Sequence, residues 1–168
     1  MEGMYNLVKD FFSHDMDLDD LFDSEAIIWI DWREYDEDVV NYFNDMMNEP
    51  IDIEIVSNGK AYGDDIVLKN GDKELQIPYG DEQERDVTIK YFNDFVKPDY
   101  EVRWFAESLG NDTLGFTMLS GAEWANLEDE FGADTVRYYF EPINLESNMF
   151  NLDMDEVSAL LELRENNR

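Results

Sequence analysis

The sequence predicts an α+β fold, a single domain spanning 1–168 with a mostly antiparallel sheet covered by several amphipathic helices. Three observations carry that expectation. Segments with helical period stand among segments of period two, and turn dipeptides of the hairpin type separate the latter. A length of 168 residues suits one core. Eleven Phe, nine Tyr and four Trp supply that core, whereas disordered acidic chains are poor in aromatics.

Met4, Leu7, Val8, Phe11 and Phe12 recur at helical spacing and predict an opening amphipathic helix that ends near His14. The run AIIWIDW (26–32) is too short and too β-branched for a helix, and reads as a central strand buried on both faces. Over Tyr35 to Asn48, the stripe Val39, Val40, Phe43, Met46 and Met47 predicts a second helix. Its first turn carries Asp36, Glu37 and Asp38 at the positive end of the helix dipole, and Pro50 stops it. IDIEIV (51–56) alternates at period two, so one face is wet. Asn58-Gly59 and Asn70-Gly71 tolerate the positive φ of hairpin turns and bracket DIVLK (65–69) and KELQIP (73–78). Residues 51–78 are therefore expected to form a three-stranded meander.

A helix over 82–97 turns Val87, Ile89, Phe92 and Phe95 inward and ends before Pro98. YEVRWFA (100–106) and TLGFTML (113–119) flank the polar loop ESLGND and predict a second antiparallel pair. Ser120 and Glu123 have capping-box spacing ahead of Trp124, Leu127 and Phe131, and Gly132 closes that helix. Residues 135–143 read as a strand, or as a short helix plus a strand; 144–152 form a loose connection. A final helix over 154–165 places Met154, Val157, Leu160 and Leu161 inward. The pattern leaves two options for residues 1–50, packing on the main sheet or a lobe of their own. There is no internal repeat and no low-complexity segment.

Charge narrows the function classes. Forty-two Asp and Glu against 12 Lys and Arg give a net charge of -30, far past the magnitude of about 2–8 that keeps a small domain soluble. A field of that size opposes compaction while concentrating cations and speeding encounter with basic surfaces. It implies a positively charged protein partner or a high-salt habitat. The absence of cysteine excludes disulfides, thiolate nucleophiles and cysteine metal clusters, and suits a cytoplasmic location. MEGMYNLVKDFF lacks the basic and apolar regions of a signal peptide, and no run approaches 18 apolar residues, so no membrane partner is expected. Basic residues are scattered singly, which argues against direct nucleic-acid binding.

The densest acidic stretch is HDMDLDDLFDSEA (14–26). Aligned with a twelve-residue EF-hand loop, Asp15, Asp17, Asp19 and Asp23 fill positions 1, 3, 5 and 9, but the required glycine is Asp20 and the bidentate glutamate is Ala26. A calcium-responsive module is retained only as an alternative, and the expectation is no metal. Equally, Asp15 or Asp17 caps a short helix containing Leu18, Leu21 and Phe22. His14 in SHD has neighbours in sequence but not the geometry of a triad, and no Gly-rich loop, P-loop or HExxH motif appears. No enzymatic activity and no cofactor are expected.

In WIDWREYDEDVVNYF (29–43), Trp29, Trp32, Tyr35 and Tyr42 stand among carboxylates. Trp29 and Trp32 face opposite sides of a strand, one towards the core; Trp32, near the strand end, is the leading anchor candidate. The candidate partner-binding set is Asp15, Asp17, Asp19, Asp20, Asp23, Asp31, Trp32, Glu34, Tyr35, Asp36, Glu37 and Asp38. Carboxylates three or four residues apart on a helix lie roughly 5–6 Å apart, a spacing that also suits a DNA mimic acting on a nucleic-acid-binding enzyme.

Small size, extreme acidity, many aromatics and the strand, turn, strand and capped helix of DYEVRWFAESLGNDTLGFTMLSGAEWANLEDEFG (99–132) resemble bacterial immunity proteins. The resemblance implies a basic toxin domain as partner, often a nuclease, held inactive by tight stoichiometric binding. It implies no individual functional residue.

Overall fold

A computed structural model describes residues 2–166 apart from 32, 48, 58, 60–63, 80–83, 110–112, 148 and 151. In chain order the elements are α1 (Glu2–Phe12), α2 (Leu18–Phe22), β1 (Ile28–Asp31), α3 (Asp36–Met46), β2 (Asp52–Ser57), β3 (Asp64–Asn70), β4 (Lys73–Gln76), α4 (Arg85–Val96) and β5 (Tyr100–Phe105). A 3-10 turn (Ala106–Ser108) leads to β6 (Thr113–Ser120), α5 (Gly121–Phe131), α6 (Ala133–Tyr139), β7 (Phe140–Pro142) and α7 (Met154–Asn166). The architecture is α+β with two antiparallel sheets, of order β1-β6-β5-β7 and β2-β3-β4. No helix among the described residues is long and apolar enough to cross a membrane.

The β5–β6 hairpin, with Val102 opposite Met118 and Trp104 opposite Phe116, is the centre of the larger sheet. Strand alternation sends Val102, Trp104, Phe116 and Met118 to one face, where α3, α4 and the inner side of the smaller sheet (Ile66, Leu68) cover them. Phe105, Leu119 and Phe140 go to the other face, under α1, α2, α5 and α6. On that second face Gly115 lies opposite Trp29. A Cβ there would stand 2.7 Å from an Ile27 methyl, so only glycine admits the Ile27 side chain so close to the sheet.

Residues 26–32 do not form a central strand. β1 is four residues long and pairs with β6 alone, at the sheet edge. Its apolar composition has another cause: the helices of both layers overhang the edge, so Ala26 and Ile27 are buried on one face and Ile30 on the other. Through β1, α1, α2 and α3, residues 1–50 pack into both layers of the main body.

The meander is present, with its β3–β4 turn one residue later than the dipeptide suggests. Asn70 pairs with Lys73, so Gly71-Asp72 are the central residues and Gly71 carries φ +62°. Gly59 has φ +72°, while Asn58 lies outside the described residues. The helix expected from 82 is described from Arg85. The 135–143 segment resolves into a short helix and a short strand. Ser120 and Glu123 form the capping box, with amide bonds of 3.1 and 2.9 Å, and Gly132 ends α5 at φ +94°.

The final helix departs from expectation in its orientation. Of the residues placed inward, only Val157 packs on the core. Met154 is 85% exposed, and Leu160, Leu161 and Leu163 are exposed as well. By the time the chain reaches α7, both faces of the larger sheet are already covered.

Candidate functional site

Edge strand β1 divides the acidic residues singled out above into two groups. α2 lies on the face shared with α1, its Leu21 buried there, and α3 lies on the opposite face. The acidic run at 15–23 and the first turn of α3 therefore do not form one patch on one layer.

The run has local duties. His14 adopts φ +66° and ends α1 in a Schellman turn, the Asp15 amide donating to the Asp10 carbonyl at 2.9 Å and the His14 amide to Phe11 at 3.2 Å. Asp17 caps α2, its Oδ1 accepting from the Asp20 amide at 2.8 Å. Asp19 stands in the first turn of α2, and the Asp23 amide closes that helix on the Asp19 carbonyl at 3.3 Å. All five aspartates are exposed. The charge of Asp17 above all, with Asp19 and Asp23 adding to it, raises the Asp20 carboxyl above its ordinary range. Among the described residues, no group of three or more His, Cys, Asp or Glu is disposed to hold a metal ion.

The second group is more organised. Phe22 stacks on Trp29 with ring centroids 5.5 Å apart, and the Trp29 indole donates to the Phe22 carbonyl at 3.4 Å, which makes Trp29 a packing residue. Trp32 lies outside the described residues. At the end of β1, Arg33 donates from its amide and its guanidinium to Asp31 Oδ1 at 2.9 and 3.0 Å, and a second guanidinium nitrogen reaches Oδ2 at 3.0 Å. These bonds hold the Asp31 carboxyl down at about 2. Glu34 accepts the Tyr42 hydroxyl at 2.7 Å, a bond that raises the phenol above its ordinary value.

Tyr35 is the N-cap residue of α3, yet it makes no side-chain cap bond. Ser, Thr, Asp or Asn at that place stabilises a helix by about 0.5–2 kcal/mol. The tyrosine ring instead stands 76% exposed, and Tyr42 is 41% exposed. Glu37, Asp38 and Asp45 are exposed on the same helix. Asp38, Tyr42 and Asp45, at i, i+4 and i+7, share one stripe opposite the buried Val39, Val40 and Phe43.

Asp36 does not belong to this surface. It is fully buried. Thr88 donates to its Oδ1 at 2.6 Å and lies within hydrogen-bond reach of the Tyr79 hydroxyl, while among the described residues Oδ2 meets only the Arg85 guanidinium, 3.5 Å away. Arg85 also donates to the Glu34 carbonyl at 2.8 Å. Burial pushes the Asp36 carboxyl up, against the Thr88 bond and the Arg85 charge, which favour its ionised form. Asp36 is thus the fastener that ties the first turn of α3 to α4.

Sequence reasoning finds Asp31, Glu34, Tyr35, Glu37 and Asp38 but leaves Asp45 out of the set. The signal for Asp45 was its seven-residue spacing from Asp38 on the face opposite the apolar stripe. Nothing local distinguished Asp36 from its neighbours, because its burial depends on Thr88 and Arg85, about fifty residues away in the chain.

No protein-family model matches the chain. Neither a curated protein nor a solved structure matches it either.

Proposed function

We propose that the chain is a protein-binding inhibitor of the immunity class, which neutralises a basic toxin domain by stoichiometric binding through the outward face of α3 and the adjoining end of β1. Tyr35 carries this reading. An exposed aromatic ring occupies a helix cap where a small polar residue would be more stable, and local rules are broken most often where function requires it. Large rings ringed by charge suit an interface whose centre is desolvated and whose rim governs encounter.

The electrostatics support the same partner. Arg33, the basic residue nearest Tyr35 in the chain, is bound to Asp31, and Arg85 is turned to Asp36 and the Glu34 carbonyl. Glu37, Asp38 and Asp45 then face solvent on a chain of net charge -30. In this role the carboxylates pair with Lys and Arg of the toxin while Tyr35 and Tyr42 pack between them.

Co-expression with the product of the neighbouring open reading frame tests the proposal. The expected result is relief of that product's toxicity and a one-to-one complex whose association rate falls at least about tenfold between low and high salt. A neighbour that is harmless, or whose toxicity persists with the chain present, would contradict it. Competition by duplex DNA for the captured partner would move the reading to nucleic-acid mimicry.

A further inference from the structure

An apolar groove of about 200 Å³ opens between α7 and the body, floored by Trp104, Ala106 and Leu109 and walled by Leu160 and Leu163. It exceeds the roughly 150 Å³ at which an apolar cavity admits a benzene ring. Its lining comes from β5, the 3-10 turn, α6, β7 and α7, with no residue of α2, β1 or α3. We infer that this groove is a second docking site, whose occupant is a cationic amphipathic helix of a partner protein inserting apolar side chains between Leu160, Leu163 and Trp104. The inference goes beyond the reading of the α3 face and does not depend on it.

α7 holds its position without using its leucines. Arg164 fixes its C-terminal end, donating to the Tyr138 carbonyl at 2.7 Å and to Glu107 at 2.8 Å while its guanidinium lies 4.1 Å from the centre of the Tyr138 ring. At the other end Asp153 caps the Glu156 amide at 2.8 Å. Val157 and Arg164 face the body, so Leu160 and Leu163 border the groove and Met154 and Leu161 fall on the opposite flank. A helix pinned by Arg164 and seated by Val157, with leucines presented at i and i+3 beside an apolar floor, has the form of a helix-in-groove receptor.

Charge selects the occupant. Both guanidiniums at the groove are matched by carboxylates, Arg137 by Glu128 at 2.9 Å and Arg164 by Glu107 at 2.8 Å. Glu141, on the rim, has its carboxyl pushed up by burial while it also feels the Arg164 charge, and Glu156 adds a carboxylate one turn along the Leu160–Leu163 stripe. A second copy of the chain would set these carboxylates, and the whole net charge of -30, against their own kind. A helix with leucines on one face and lysines beside them meets both the floor and the rim.

The test is calorimetric titration of the full chain with a helical peptide carrying one leucine face and flanking lysines. A peptide of equal charge with serine in place of each leucine is the control. The leucine peptide is expected to bind at least about tenfold tighter, the effect of an apolar anchor in a pocket. Leu160→Ser with Leu163→Ser should reduce it to the level of the serine peptide, whereas Leu161→Ser, on the other flank, should leave it unchanged. Equal affinity of the two peptides, or equal loss in the Leu161 variant, would overturn the inference. So would concentration-dependent dimerisation that the double variant abolishes, since a second copy would then be the occupant.

Discussion

α3 gathers its apolar residues on one face and buries Val39, Val40 and Phe43 completely, while α7, whose apolar residues spread further around the helix, leaves Met154, Leu160, Leu161 and Leu163 in solvent. The difference lies in what remains to be covered. α3 covers one face of the larger sheet together with α4 and the smaller sheet. α7 comes last among the described elements and meets only a rim. A hydrophobic period reports that a helix face is stabilised by cover; it does not report whether the same chain supplies the cover. The two tyrosines of α3 and the leucines of α7 are the places where it does not.

The strongest way to break this contrast is a pair of core and rim truncations. Phe43→Ala, beneath α3, is expected to destabilise the fold by about 3–5 kcal/mol, whereas Leu163→Ser should stay within about 0.5 kcal/mol of the parent. Denaturant midpoints measure both, and comparable losses would mean that α7 is part of the core after all.

Next in size is the Asp36 fastener. Asp36→Ala removes the acceptor that ties Thr88 to α3 and the carboxylate that faces Arg85, and is expected to cost about 1–3 kcal/mol. Its pH dependence has a definite sign. The folded-state carboxyl is raised above its ordinary value of 3.8, so its contribution to stability is fully present below that value and is lost as pH rises through the folded-state value. The advantage of the parent over Asp36→Asn should therefore grow as pH falls through that window. Asp31 has the opposite sign. Held at about 2, it contributes stability above pH 3.8 that disappears as pH falls towards 2. A parallel pH response of Asp31→Asn and Asp36→Asn would refute the assignment of one as half-buried and paired with Arg33, the other as fully buried.

A more local effect is expected at the pin of α7. Arg164→Ala removes the charge-assisted bonds to Tyr138 and Glu107 at a cost of about 1.5–3 kcal/mol. Amide exchange should speed up in α7 and remain unchanged in β5 and β6. Uniform acceleration would show that α7 is stabilised by more than its ends.

Much of the fold was legible because its signals are local. The Ser120–Glu123 box, Gly132, the alternation of 51–56 and the β5–β6 hairpin depend on neighbours within a few residues, and each lies where its spacing put it. What was illegible depends on distant partners. β1 looks central because helices from both layers cover its edge, and the inward face assigned to α7 is a statement about space already filled. The candidate site divides in the same way. The acid-rich turn before α3 can be read directly, but the burial of Asp36 and the separation of the 15–23 run from α3 follow from tertiary placement.

The most direct measurement of the central claim is made at Tyr35, where stability and binding are set against each other. Tyr35→Ser supplies the missing cap and should stabilise the free chain by about 0.5–2 kcal/mol. The same substitution should speed dissociation of the complex with the neighbour-encoded partner at least about tenfold, with Tyr35→Phe staying near the parent. A more stable chain that releases its partner faster is the predicted result; an unchanged dissociation rate would contradict the role given to the α3 face.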